Sequence, residues 1–444
     1  MTTSSRELSL RPGASATDAT TPGSGSLGLV QGTALYIAAV LGTGILVLPG
    51  LAAAAAGPAS LVAVFLVFLL SIPLAGTFAA LASRYPDPGG VASYVRRALG
   101  QTWARMTGYW FFFGVGVGAP VVAVLGAEYV VAIVGAEHTA VPWVALLLLV
   151  PPFVSNYLGV RVSGAVQLLL TGALLFVVVG VVALAFPSAV PGNFAPFLPQ
   201  GWGGVGTAIS LFVWAFAGWE VGTHVAGEFR NPRRVIPLAT AIALVVVGVA
   251  YLALQYVTVA VLGEAAGQGQ VPLLDLVATN APGVGPVLVA VIAAIVAVGV
   301  LNVYLGAFGK LGASLGRDGD LPRWMEPGVQ AGGVPRRSLT VVLALIGCYF
   351  AAMVVWELPL STFILIHTSS MVAIYVLGMI AAVRLLDRYT VGWWLAVVSV
   401  VLTIGLLLLA GPNLLVPAVL AGVAVAVRLV KRWRSARRTT YTVG

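Results

Sequence analysis

Cysteine is almost absent from this chain: Cys348 stands alone, so an intrachain disulfide and a cysteine-ligated metal are both excluded. Charge is scarce as well. Asp, Glu, Lys and Arg make up 8% of the residues, against roughly a quarter in ordinary soluble domains. A surface so poor in charge cannot face water on all sides. No GxxxxGK[ST] phosphate loop occurs, so nucleotide-driven work is not expected. Nothing in the chain reads as a cofactor or metal motif.

What fills the 444 residues instead is hydrocarbon, with 60% hydrophobic residues and a mean hydropathy of +1.03. Runs of about 20 apolar residues, enough to cross roughly 30 Å of bilayer as helix, recur along the chain. Twelve spans are counted, at 29–54, 59–83, 106–134, 141–160, 163–187, 203–227, 236–262, 284–312, 339–356, 360–386, 392–410 and 412–430. The expectation is an all-α integral membrane protein with no room for a soluble catalytic domain, hence no enzyme. Residues 1–28, rich in Ser, Thr, Gly and Pro without a cleavable apolar core, read as a disordered cytoplasmic tail.

The placement of Lys and Arg tests this count. With the N-terminus inside, all 23 basic residues fall in the N-terminal tail, the loops after spans 2, 4, 6, 8 and 10, or the C-terminal tail, with Arg105 and Lys310 at span ends. The opposite loops hold none. This is the positive-inside pattern, which an error of one span would destroy, and it puts both termini in the cytoplasm of a cell-membrane protein. The net charge of +9 then requires no nucleic-acid partner. Its densest stretch, RLVKRWRSARR at 428–438, suits anionic lipid head groups, and 431–444 reads as a basic cytoplasmic tail.

Two spans are interrupted. GTGILVLPG at 42–50 sets Gly42, Thr43 and Gly44 near the middle of span 1, and WAFAGWE at 214–220 sets a glycine and a carboxylate within span 6. Glycine permits φ values that a helix does not use. Irregular backbone at that depth is tolerated only inside protein or along a cavity. Close packing between membrane helices accounts for either segment taken alone, in a chain with 53 glycines. Together they say more, because segments five spans apart run in opposite directions, as in inverted repeats that each open with a broken helix. A break exposes N–H groups on one half-helix and C=O groups on the other. A zwitterion satisfies both. Its carboxylate would sit at the amides of Gly42, Thr43 and Gly44 and the Thr43 hydroxyl, and its ammonium at carbonyls around Val40, Leu41, Trp214 and Ala217.

GTGILVLPG in span 1, FAGWE followed by EFRNPRRVIPLA after span 6, RYPDPGGVASYVRRALG after span 2 and LGRDGDLP after span 8 resemble signature segments of the amino acid-polyamine-organocation (APC) transporter superfamily. The resemblance runs over spans 1 to 12 in order. HVAGEFRNP at 224–232 and the asparagine of LNVYLGAFGKL at 301–311 are most similar to bacterial exporters of methionine and branched-chain amino acids. The resemblance implies a five-plus-five inverted-repeat (LeuT-like) fold with discontinuous helices 1 and 6. Its first repeat would span 29–187 and its second 203–386, with spans 11 and 12 (392–430) outside. It also implies that the Gly42-Thr43-Gly44 turn binds the substrate carboxylate and that Trp214, Ala215, Ala217 and Gly218 bind its amine. The wall positions that match are Phe113 and Val117 in span 3, Trp219 near the span 6 break and Tyr304 in span 8. None is charged. Uncharged, apolar side chains such as Met, Leu, Ile and Val are therefore the expected substrates, several together, because an apolar pocket separates them by only about 1–3 kcal/mol.

Glu220 is the sharpest single candidate. A carboxylate near the middle of the membrane costs about 2.5–3.5 kcal/mol on insertion scales, and such residues usually serve ions, protons or substrates. It is read as the proton-coupling group. The structural alternative is a neutral Glu220 bonded to a loose carbonyl at the break. Asn302 faces either the site or a neighbouring helix, and Asn156 caps or packs near the inner end of span 4. His224, one turn beyond Glu220, is its partner or an inner-interface residue. His367 and Glu128 are weaker relay candidates, and Arg317 and Asp318 are placed for a short ion pair. Span 5 holds no lysine, unlike that of some proton-coupled relatives, so their coupling scheme does not carry over directly.

The function this supports is secondary active transport by alternating access: proton-coupled export of neutral apolar amino acids, driven by gradients of protons or another ion. Uptake or exchange of an amino acid or amine is the nearest alternative. A non-transporting sensor or assembly subunit is the alternative of another class, and it lacks any soluble signalling domain here. Oligomeric state is not legible.

Overall fold

Most segments are apolar on every side, so each closes its own backbone hydrogen bonds as helix, as a chain surrounded by lipid must. The computed structural model describes residues 27–86, 89–160, 164–269, 271–281, 283–330 and 333–440, which leaves nearly all of the expected 1–28 tail outside the described residues. In chain order the helices are α1 (Leu29–Leu41), α2 (Leu48–Ala56), α3 (Ser60–Arg84), α4 (Gly90–Leu99), α5 (Gln101–Tyr109), α6 (Gly118–Val134), α7 (Val141–Leu158), α8 (Gly164–Ala185) and α9 (Gly201–Ala215). They continue as α10 (Val221–His224), α11 (Pro232–Leu262), α12 (Pro272–Asn280), α13 (Val284–Arg317), α14 (Arg336–Val355), α15 (Leu360–Leu385), α16 (Val391–Leu409) and α17 (Leu415–Thr440).

Among the described residues, ten helical stretches are long and apolar enough to cross a membrane, and they coincide with expected spans 2–5 and 7–12. Two shorter apolar helices, Leu29–Leu41 and Gly201–Ala215, fall in spans 1 and 6. Proline and glycine set many of the ends: Pro232 and Pro272 open α11 and α12, while Gly135 and Gly159 close α6 and α7 in the left-handed conformation. Between α5 and α6 the chain stays helical through a π-helical turn, Trp110–Gly114, and a 3-10 turn, Val115–Val117. Such a turn widens the helix and re-aims its side chains.

The core lies where α1 and α11, α3 and α11, α6 and α13, and α2 and α9 pack together. Trp219, Tyr36, Tyr94, Tyr129, Tyr251 and Tyr375 are fully buried there. Helix α16 packs on α3 and α15, and α17 on α5 and the π-helical turn, where Trp110 Nε1 donates to Pro417 O at 2.7 Å. The outer faces are greasy: Trp143, Leu147, Leu169, Phe176, Val401 and Leu408 stand exposed.

Ion pairs gather at the end that carries the basic loops. Buried Arg105 pairs with buried Asp320, whose carbonyl accepts from Tyr109 OH at 2.7 Å. Arg96 reaches Asp318 at 2.6 Å, and Arg317, the partner expected from sequence, lies 3.3 Å from the same carboxylate. At this end Leu27 also forms an isolated parallel bridge with Phe229, tying the entry to α1 to the segment after α10.

Candidate functional site

The first break is built by glycine. Gly42 takes φ +35° and ends α1, a 3-10 turn covers Gly44–Leu46, and α2 starts at Leu48. The N–H groups of Gly42 and Thr43 donate to no acceptor among the described residues, and the hydroxyl of Thr43, a buried residue, has no hydrogen-bond partner there. Of the carbonyls, Leu41 O accepts from Tyr251 OH at 3.0 Å and Leu46 O from Tyr129 OH at 2.7 Å. Tyrosines of α11 and α6 thus hold the flanks of the turn and leave its amides uncommitted.

The second break follows α9. Phe216 N–H still donates to Phe212 O at 3.1 Å and Ala217 N–H to Trp214 O at 3.4 Å, after which Gly218 turns the chain at φ +115° and α10 begins at Val221. Trp214 O is therefore taken, and Ala217 O is without a donor among the described residues. Gly218 lies against the last turn of α1: a Cβ there would sit 2.8 Å from Ala39 O. Gly222 faces Tyr36 of α1 more closely still. The two breaks are neighbours in space.

Glu220 is buried at the second break, and its Oε2 accepts from Tyr375 OH at 2.7 Å and from Gly218 N–H at 3.1 Å. Donors hold this carboxylate, and no bond to a loose carbonyl is present among the described residues. Sequence reasoning missed Tyr375. The available signal was a tyrosine inside an apolar run, whose hydroxyl must find a partner when buried.

The residues expected to line the pocket are aromatic or apolar. The Trp214 ring lies 4.2 Å from the His367 ring, whose Nδ1 donates to Val115 O at 3.0 Å. Gly44 and Gly118 make room for it, since a Cβ at either would come within about 3 Å of the indole. Ala215, Val117 and Trp219 are buried, and Trp219 packs 6.3 Å from Tyr36. Phe113 and Tyr304 are half-buried, Tyr304 stacking on Phe308 at 5.6 Å within electrostatic reach of Glu220. Asn302 is engaged elsewhere: Asn156 Nδ2 of α7 donates to its backbone O at 2.9 Å and to its Oδ1 at 3.0 Å. His224 is exposed, with its ring against Gly90 of α4. Glu128 is held 3.0 Å from His138 Nε2 toward the far end of α6. What the breaks offer chemically is uncommitted amides at Gly42 and Thr43 and an uncommitted carbonyl at Ala217, with one carboxylate, Glu220, at the second break.

Comparison with known proteins agrees in kind. Residues 27–427 match the family model described as amino acid permease. The chain is 32% identical over 399 residues to the amino acid permease YecA of Bacillus subtilis (strain 168), covering 89% of this chain and 93% of that one. It is 30% identical over 400 residues to the L-methionine/branched-chain amino acid exporter YjeH of Escherichia coli (strain K12), covering 87% and 91%. Among solved structures, MhsT in complex with L-phenylalanine superposes with a TM-score of 0.62 over 88% of this chain and 99% of that one, at 14% identity. That is a likeness of fold.

Proposed function

Since the chain belongs to the amino acid permease family of the APC superfamily, we propose that it exports neutral apolar amino acids, Met, Leu, Ile and Val, in exchange for protons. The protein is a multi-pass membrane transporter of amino acids. In the proposed cycle it crosses the cell membrane twelve times with both termini in the cytoplasm. Its repeats, 29–187 and 203–386, are inverted copies that open with the broken helices 1 and 6, and these move against the remaining scaffold. Spans 11 and 12 stand outside the repeats.

One observation carries the substrate class: the uncommitted amides of Gly42 and Thr43 at the first break and the uncommitted carbonyl of Ala217 at the second, in segments that Gly218 brings against Ala39 O. The amides suit a carboxylate and the carbonyl an ammonium. Phe113, Val117, Trp219 and Tyr304 offer the side chain no charge, which favours apolar amino acids over cationic ones. Glu220, held by Tyr375 and Gly218 across the second break, is the group proposed to load and release a proton as the site changes sides. Binding shifts the populations of inward- and outward-open states, and the gradients set the net direction.

The test is flux from liposomes preloaded with labelled amino acids under a pH gradient of either sign. Efflux of Met and Leu that follows the gradient is expected, and Glu220→Gln should abolish the pH response while leaving exchange intact. Proton-independent flux, preference for a cationic substrate, or an unaltered response in the variant overturns the reading.

A further inference from the structure

A cavity of about 340 Å³ opens at the basic end of the bundle, where α15 turns into α16. Arg384, Arg388, Tyr389 and Trp393 line it. Arg384 gives Nη1 to Ala98 O at 3.1 Å and keeps its other donors. Asp387, which stands between the arginines in sequence, pairs instead with Arg84. Arg388 is exposed and makes no ion pair or side-chain hydrogen bond among the described residues. The lining therefore brings two guanidinium groups to one concavity with no carboxylate among them.

Val383 and Leu386 add aliphatic surface, and two aromatic rings complete the lining. Tyr389 adopts φ +66°, a conformation that a bulky residue holds only under constraint, and its ring lies 5.6 Å from Trp393. Trp393 donates Nε1 to Val383 O at 3.2 Å and meets Trp394 edge-on at 4.8 Å. From Trp394 an exposed apolar stripe runs along α16 through Val398, Val401 and Leu408. Tyrosine and tryptophan rings belong at head-group depth, and guanidinium binds phosphate through paired N–H donors.

We propose that this cavity binds the phosphate of an anionic phospholipid, whose acyl chain lies along the α16 stripe. Basic pockets between membrane helices suit such head groups. Free phosphate would meet the same arginines, but only a lipid covers the apolar surface directly beside them.

The experiment uses the full chain in detergent, offered phosphatidylglycerol or phosphatidylcholine, with retained lipid read by native mass spectrometry. Phosphatidylglycerol should be retained, and Arg388→Gln should weaken its retention about tenfold, as expected for loss of charge-assisted hydrogen bonds. Arg323→Gln, an exposed arginine outside the cavity at the same end, should change nothing. Equal retention in Arg388→Gln, an equal loss in Arg323→Gln, preference for phosphatidylcholine, or displacement of the lipid by millimolar inorganic phosphate each overturns the proposal. Because Arg388 lies on an exposed turn, the fold is expected to survive the change; an unchanged thermal midpoint checks it.

Discussion

At the scale of the residue, Thr43 and Glu220 divide the work proposed for the breaks. Thr43, a buried residue, presents a hydroxyl with no partner among the described residues, beside its own amide and that of Gly42 in the same condition. Thr43→Val keeps the shape and removes only that hydroxyl. A hydrogen bond of about 0.5–1.5 kcal/mol is then lost, so half-saturation for Met, Leu and Val should each rise about two- to tenfold. Their ratios should stay constant, measured as counterflow in liposomes, because the hydroxyl serves the part that all amino acids share. A change confined to one substrate would move Thr43 from the carboxylate to the side-chain pocket. Glu220 could be found in the sequence because a lone acid in an apolar span is conspicuous. Tyr375, 155 positions away, could not be paired with it, since only the packing of α15 against the second break brings the hydroxyl to 2.7 Å.

At the scale of the element, glycine made the breaks visible and the tyrosines that brace them stayed hidden. Gly42 and Gly218 do adopt positive φ where the pattern places interruptions. The hydroxyls of Tyr251 and Tyr129 that cap Leu41 O and Leu46 O come from other helices, and no local pattern announces a partner 210 or 83 residues distant. Gly44 serves a different need, close approach: a Cβ there would lie 2.9 Å from Tyr251 OH and 3.0 Å from Trp214 Cδ1. Gly218→Ala tests the junction of the broken elements. The left-handed backbone costs an L-residue about 1–2 kcal/mol, and the new methyl would press on Ala39 O at 2.8 Å. A lowered thermal midpoint in detergent and loss of transport are expected. Gly227→Ala, with negative φ and open space around it, should stay within about 0.5 kcal/mol of the parent. Equal behaviour of the two variants would show that the approach of α10 to α1 is not tight.

At the scale of the whole molecule, hydrophobic runs and basic loops made the helical order legible, and ten long helices fall where the runs are. Which loops join to which was not legible, because ion pairs depend on spatial neighbours: Asp318 was matched to Arg317 beside it, yet Arg96 of α4 comes closer. The buried Arg105–Asp320 pair, which fastens the loop after α13 to α5, had no local signature at all. Arg105→Met would leave Asp320 buried and unpaired, a loss of about 3–5 kcal/mol. Thermal unfolding should show a large drop, partly restored by adding Asp320→Leu; an unshifted midpoint would mean that the pair is solvated. The breaks themselves have a further consequence. Apart from the Thr43 hydroxyl, the donors and acceptors proposed to recognise the substrate belong to the main chain around Gly42, Thr43, Gly44 and Ala217, so substitutions other than to proline leave them in place. On the proposed reading, point mutation redraws the range of side chains admitted at Phe113, Val117, Trp219 and Tyr304 while zwitterion recognition is inherited intact. A lineage built on this design can change its diet without first losing its appetite for amino acids.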